Sequence, residues 1–338
     1  MEYRGVSWKR IGIAATLRRT ALAGLALLAC TGVCFSQTAV QNYPDHPVRL
    51  IVPFSVGGAT DIMARQISRY FLEDLKQPLV IENRGGAGGM IGTELVAHAP
   101  PDGYTLLFAS SAQLAVNPSL YAHVRYDSLR DFDPILLIGA TPNVILASPA
   151  SGIDSIAALV ARAKAKPGAL NFASPGVGST AHLSAEMLQQ QTGIKLVHVP
   201  YKGGGAVLMD ALGGETPVVV VAIPSIVGYA QSGKLVPLAV TGPRRSAVFP
   251  AVPTVAETLP GFEAVAWYGI VAPAGTPPAI LLKLKNALQA IIKREDVQKA
   301  YAAQGIEPID PSIDFAAYLK SERVKWAHVI ELSGARVE

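Results

Sequence analysis

The sequence predicts an α/β protein of two lobes, two α/β domains joined by a hinge of two crossing segments. Three observations predict it. Apolar runs of strand character alternate with helical segments, the runs form two series that match in order, and the chain ends in helices that follow the second series. About 300 residues remain after the first stretch, enough for two domains that each bury a core.

The first series reads VRLIVPF (48–54), PLVIENR (78–84), YTLLFAS (104–110), PILLIGA (134–140) and NVILASPA (143–150). The second reads ALNFASP (169–175), KLVHVPY (195–201), PVVVVAIP (217–224), KLVPLAVTG (234–242) and WYGIVAPAG (267–275). Short apolar runs separated by helical patterns point to parallel sheets covered on both faces. VGGAT (56–60) answers VGSTA (177–181), and RGGAG (84–88) answers KGGGA (202–206). PILLIGA answers PLAVTG, and ILASPA (145–150) answers IVAPAG (270–275), at spacings of 121, 118, 103 and 125 residues. Preserved order at similar spacing argues for two related lobes.

After the first series a new lobe opens with SIAALVARAKA (155–165); after the second come helical patterns at 277–294, 295–304 and 315–332. If that tail returns to the first lobe, the chain crosses twice. The expected lobes are 38–142 with 272–338, and 150–267, with the hinge near 143–149 and 268–274. Ligands of open α/β sheets bind beyond the strand C-termini, so both lobes would turn their loops toward one cleft.

Residues 1–36 stand apart. Basic residues precede ALAGLALLA (21–29), which gives way to Ser36, Gln37 and Thr38. This is the pattern of a secretory signal, and the run is shorter than the roughly 20 apolar residues of a membrane span. Cleavage after Ser36 ranks first. A lipoprotein box at Leu28-Ala29-Cys30 ranks second and twin-arginine export through Arg18-Arg19 third. Of 29 basic and 25 acidic residues, 5 and 1 lie in 1–36, leaving 24 of each. The mature chain is thus neutral and carries no nucleic-acid footprint. Both cysteines, Cys30 and Cys34, fall in the signal, so cleavage after Ser36 leaves no thiol for a disulfide, metal or nucleophile. A periplasmic monomer without cofactor or metal is expected.

Two Gly-rich strand-to-helix turns are the candidate site. In PFSVGGATD (53–61), Gly57 and Gly58 let the backbone turn and approach a ligand closely, and Thr60 or Asp61 can cap the helix. SPGVGSTAH (174–182) repeats the arrangement in the second lobe, with Ser179 and Thr180 adding hydroxyls. Free N–H groups at such a helix start bind anions without a basic side chain. Ser110 and Ser111 end the third strand with hydroxyls, while their counterpart Ala222-Ile223 is apolar. Asn83, Arg84, Tyr201 and Lys202 either seal the cleft or form a solvated rim. Trp267 and Tyr268 sit at the return crossing, as pocket floor or as hinge packing.

These segments, with ENRGGAGGMIG (82–92), PDGYTLL (101–107), HVPYKGGGA (198–206), VPTVAETLPGF (252–262) and APAGTPP (272–278), resemble the substrate-binding proteins of tripartite tricarboxylate transporters, the Bug receptors. The resemblance covers essentially all of the mature chain. It implies the type II periplasmic binding protein fold, a small carboxylate as ligand, and the membrane subunits of such a transporter as partners. It also implies that the loops at Ser55–Asp61 and Gly178–Ala181 grip a carboxylate, with His182 as a brace for the loop. The chain departs from the family at Ser55-Val56 and Gly85, where prolines are usual, and at Ala222-Ile223, where many relatives are polar. The carboxylate grip is intact; the far end of the ligand would meet apolar contacts.

An enzyme is the rival reading. Gly176-x-Gly178-x-x-Ala181 fits a relaxed dinucleotide fingerprint, but the ribose-binding acid is missing. No G-x-S-x-G elbow occurs, and the six histidines lack metal-ligand spacing. A sensor subunit that signals to a membrane partner is the nearer alternative.

Overall fold

The computed structural model describes residues 42–54, 56, 59–201, 204–229 and 232–337. The expected signal segment, with Cys30 and Cys34, lies outside the described residues, as do Ser55, Gly57, Gly58 and Lys202. The chain divides into two units, 1–45 and 46–338, and everything below concerns the second. Among the described residues no helix is long and apolar enough to cross a membrane.

The first lobe is built on β1 (Val48–Val52), β2 (Leu79–Asn83) and β3 (Thr105–Ser110), parallel neighbours in the order β2-β1-β3. Every residue of β3 is buried, as its continuous apolar run requires. Helix α1 (Ala59–Leu75) connects β1 to β2 and carries Met63, Ala64, Ile67, Phe71 and Leu75 on one buried face. Their spacing of three and four makes that face continuous. The helix ends at Lys76, which takes a left-handed φ of 61°. Helix α2 (Met90–Ala97) precedes β3, and α3 (Asn117–Leu120) follows it after a π-helical turn at Ala112–Val116.

The second lobe repeats this plan. β5 (Asn171–Ser174), β6 (Val197–Pro200) and β7 (Val218–Ala222) run parallel in the order β6-β5-β7. Helix α4 (Ile156–Ala165) precedes β5, α5 (Thr180–Thr192) joins β5 to β6, and α6 (Gly204–Gly213) joins β6 to β7. β8 (Val236–Val240) completes the series.

The fifth run of each series departs from expectation. PILLIGA and NVILASPA are not two strands but halves of one 16-residue strand, β4 (Phe132–Ala147). Its first half pairs with β9 (Val265–Pro273), and its second half lies between β7 and β8. β9 in turn lies between β3 and β4. The two sheets therefore read β2-β1-β3-β9-β4 and β6-β5-β7-β4-β8. Each lobe inserts into its sheet, between third and fourth strands, an antiparallel segment arriving from the other lobe. That is why neither sheet is wholly parallel. Pro142 does not break β4: Ala140, two residues earlier, turns its N–H outward to Glu307 O (2.8 Å), so the edge Pro142 shares needs no ladder donor.

Three helices close the chain: α7 (Pro278–Ile292), α8 (Glu295–Ala303) and α9 (Phe315–Ser333). α7 and α8 pack on α1, and the Tyr301 hydroxyl donates to Met63 O (3.1 Å). α9 packs against both α3 and α5, and Gln190 Nε2 donates to Val329 O (3.0 Å). The C-terminal helix thus touches both lobes. It is held to β9 by buried Glu322, whose Oε2 accepts the indole N–H of Trp267 (3.0 Å) and of Trp326 (2.9 Å).

Candidate functional site

Where the C-terminal ends of β1, β3 and β5 meet the crossing strands, a cavity of about 440 Å³ opens. It is lined from the first lobe by Phe54, Thr60, Ser110, Ser111 and Ala112, and from the second by Gly178, Ser179 and Thr180. Ala266 and Tyr268 of β9 line it as well. The structure thus brings Thr60, Ser110, Ser111, Gly178, Ser179 and Thr180 together around one space.

Each Gly-rich turn delivers a helix start. α1 begins at Ala59, so Thr60 and Asp61 belong to its first turn and neither is the cap. Asp61 is buried, its carboxylate accepting from Arg65 Nε (2.9 Å) and Asn83 Nδ2 (3.0 Å). Asn83 also donates to Phe54 O (3.1 Å), so Asp61 and Asn83 fix the loop from behind. In the second lobe Ser179 is the N-cap of α5: its Oγ accepts from His182 N (3.1 Å) and donates to Gly176 O (2.8 Å). A hydroxyl has one proton, and that of Ser179 is committed, so Ser179 offers a ligand no O–H. The donors that remain are the first N–H groups of α5, at Thr180 and Ala181, which have no intrahelical partner, and the Thr180 hydroxyl. Two helix starts whose first-turn residues, Thr60 and Thr180, line one cavity offer unpaired N–H groups and positive dipole ends of the kind that anions bind.

The loop before α5 is set by Gly178, which has a φ of +77°; a Cβ there would lie 2.1 Å from Cδ2 of Leu120 in the first lobe. The turn therefore needs glycine twice over, for its backbone and for its approach to α3. Behind it, buried His182 accepts the Gly178 N–H at Nδ1 (3.2 Å), which makes Nε2 the protonated nitrogen, 3.6 Å from Glu186 Oε1. His182 stacks on His198 with ring centroids 4.0 Å apart, and Ser174 Oγ lies 2.7 Å from His198 Nε2. Burial, with the neighbouring His198 ring, pushes the His182 imidazole down to about 3, and burial pushes His198 down to about 4.

Other expected residues lie elsewhere. The Tyr201 hydroxyl donates to Asp210 Oδ1 (2.6 Å), and Tyr201 does not line this cavity. Ile223 does not line it either: it is fully buried with Val207, Val240 and Phe249, facing Gly305. Arg84 pairs with Glu82 (3.2 Å) away from the cavity. Trp267 and Tyr268 part company because successive strand residues face opposite ways. Tyr268 and Ala266 line the cavity, whereas Trp267 is buried toward α9, edge-on to Phe315. Sequence reading also passed over Phe54, Ala112, Ala266 and Gln113. Gln113 is a fully buried amide just past the end of β3, and that polar residue inside an apolar run was the available signal.

A profile of the tripartite tricarboxylate transporter family receptors matches residues 63–334. The chain belongs to that family. The receptor is 39% identical over 320 residues to protein BugT of Bordetella pertussis, covering 94% of this chain and 98% of that one. It is similar in structure to an R. palustris protein solved with adipate, with a TM-score of 0.74 and 32% identity over 86% of this chain and 98% of the other. MatC of Rhodopseudomonas palustris, solved with bound malate, gives a TM-score of 0.71 and 30% identity over 85% and 100%. The family is one of solute-binding receptors and not of enzymes.

Proposed function

We propose that this receptor captures a small carboxylate in the cavity between its lobes, in the periplasm, and delivers it unchanged to the membrane subunits of a tripartite tricarboxylate transporter. The observation that carries the reading is the pair of helix starts, α1 at Thr60 and α5 at Thr180, lining one cavity from opposite lobes. The carboxylate oxygens would accept from the first N–H groups of both helices and from the two threonine hydroxyls. The loop residues Ser55, Gly57, Gly58 and Ala59 would supply the first-lobe half of that grip, and Thr180 and Ala181 the second, on a turn set by Gly178 and Ser179. Adipate and malate in two relatives support the ligand class. The hinge is best assigned to the points where the chain changes sheets, Pro142–Asn143 on β4 and Ala264–Val265 before and at the start of β9. Each lobe could then turn with its inserted strand intact.

A thermal-shift panel tests the reading, because a ligand that prefers the native state raises the melting temperature with concentration. A long-chain or aromatic monocarboxylate is expected to stabilise the protein more than citrate, since the described lining carries no cationic side chain for extra charges. Any acid that stabilises should be recovered unchanged at stoichiometric amounts. Multiple turnovers by purified protein, or stabilisation by neutral analogues alone, would overturn it.

A further inference from the structure

The Ser110 hydroxyl on the cavity wall is oriented by Gln113. Gln113 is fully buried on the π-helical turn after β3. Its Oε1 accepts the backbone N–H of Ser110 (3.0 Å), and its Nε2 donates to Gly88 O (3.2 Å). An N–H can only donate and a carbonyl can only accept, so these two backbone partners fix which end of the amide is oxygen. The amide cannot flip without setting N–H against N–H and O against O. Its place is closed from the other side as well: Gly89, at φ +89°, could not carry a Cβ, which would lie 2.3 Å from Gln113 Nε2.

Ser110 Oγ lies 2.7 Å from that same Oε1. Since Oε1 has no proton, the Ser110 hydroxyl must give its own, and what remains toward the cavity is lone pairs. Beside it stand Tyr268 and Ser111, whose hydroxyl can donate or accept as it rotates. A fixed acceptor next to a two-way hydroxyl is complementary to a group that both donates and accepts. It is a poor match for a carboxylate, whose oxygens would face the Ser110 lone pairs with no cation in the described lining.

We infer that the receptor selects monocarboxylates whose distal end is uncharged and carries a hydrogen-bond donor, a hydroxyl above all, with Ser110 as the acceptor and Gln113 as the residue that orients it. The inference rests on the proposed carboxylate grip at the helix starts. It names what that site prefers at the other end.

Matched ligands test it by calorimetry on the intact protein: hexanoate, 6-hydroxyhexanoate and adipate, and benzoate, 4-hydroxybenzoate and terephthalate. In at least one series the hydroxy acid should bind about fivefold or more tighter than its parent, a factor expected for one hydrogen bond. It should also exceed the diacid by about tenfold, since a buried charge without a partner is costly. In Ser110→Ala the ratio of hydroxy acid to parent should fall to about one in that series. Parents that bind with no hydroxyl advantage, or diacids that bind tightest, would overturn the inference and leave the carboxylate reading standing. Failure of every acid to bind the folded wild type would overturn both.

Discussion

Acid should weaken this protein through two stacked imidazoles. In the folded state His182 titrates at about 3 and His198 at about 4, against 6.5 for a free side chain, because burial disfavours their charged forms. Below pH 6.5 the unfolded chain therefore binds protons that the folded chain does not. Stability is full above pH 6.5 and falls as pH drops toward the folded values. The slope is about 1.4 kcal/mol per pH unit for each group whose protonation differs between the states. Between pH 6.5 and 4.5 His182 alone should remove about 2 to 3 kcal/mol, and half-buried His198 somewhat less. Lys195 and Arg336 line a second cavity, beside this pair. Glu186 works the other way: burial raises its carboxyl, so it takes up a proton in the folded state first and offsets part of the loss as pH falls toward 4.5. Protonation at Nδ1 would set a second N–H against that of Gly178, so ligand affinity should hold through this range and fall only near pH 3, where the folded imidazole itself titrates. Urea unfolding at pH 7, 6 and 5 measures this, with His182→Asn as the control. Its Oδ1 can replace Nδ1 as the Gly178 acceptor without titrating, and the pH dependence should flatten. A wild-type unfolding free energy unchanged from pH 7 to 5, or parallel decline of wild type and variant, would refute the argument.

Three other outcomes are expected. Gly178→Ala places a side chain at φ +77° and against Leu120, costing roughly 1–2 kcal/mol in backbone strain alone, and should lower both Tm and ligand affinity by calorimetry. Thr180→Ala should weaken carboxylate binding by about 1–3 kcal/mol at little cost to the fold, whereas Ser179→Ala should cost about 1 kcal/mol of stability as a lost cap; equal stability losses in the two variants would contradict their assigned roles. Glu322→Ala leaves two buried indole N–H groups without an acceptor and should cost about 2–4 kcal/mol in denaturant unfolding.

The sequence by itself determined the two-lobed α/β architecture and the two Gly-rich turns that lead into helices at Thr60 and Thr180. Strand runs of period-free apolar residues, Gly-rich turns after the first strand of each lobe, and the order of their partners are local features, and local features survive being read in one dimension. PFSVGGATD and SPGVGSTAH each marked a turn that leads from a strand into a helix, and the structure places helix starts at both, with a φ of +77° at Gly178. Only the tertiary structure decided where the fifth strands go, since an apolar run does not say whose sheet it completes. It alone decided which of Trp267 and Tyr268 faces the cavity, because strand alternation allows one but does not say which. Most of all, it decided the hydrogen-bonding character of the hydroxyls. Ser179 and Ser110 are the same residue type at the edge of one cavity, but each has a single proton. The backbone around it, Gly176 O for one and the Gln113 amide for the other, determines where that proton points.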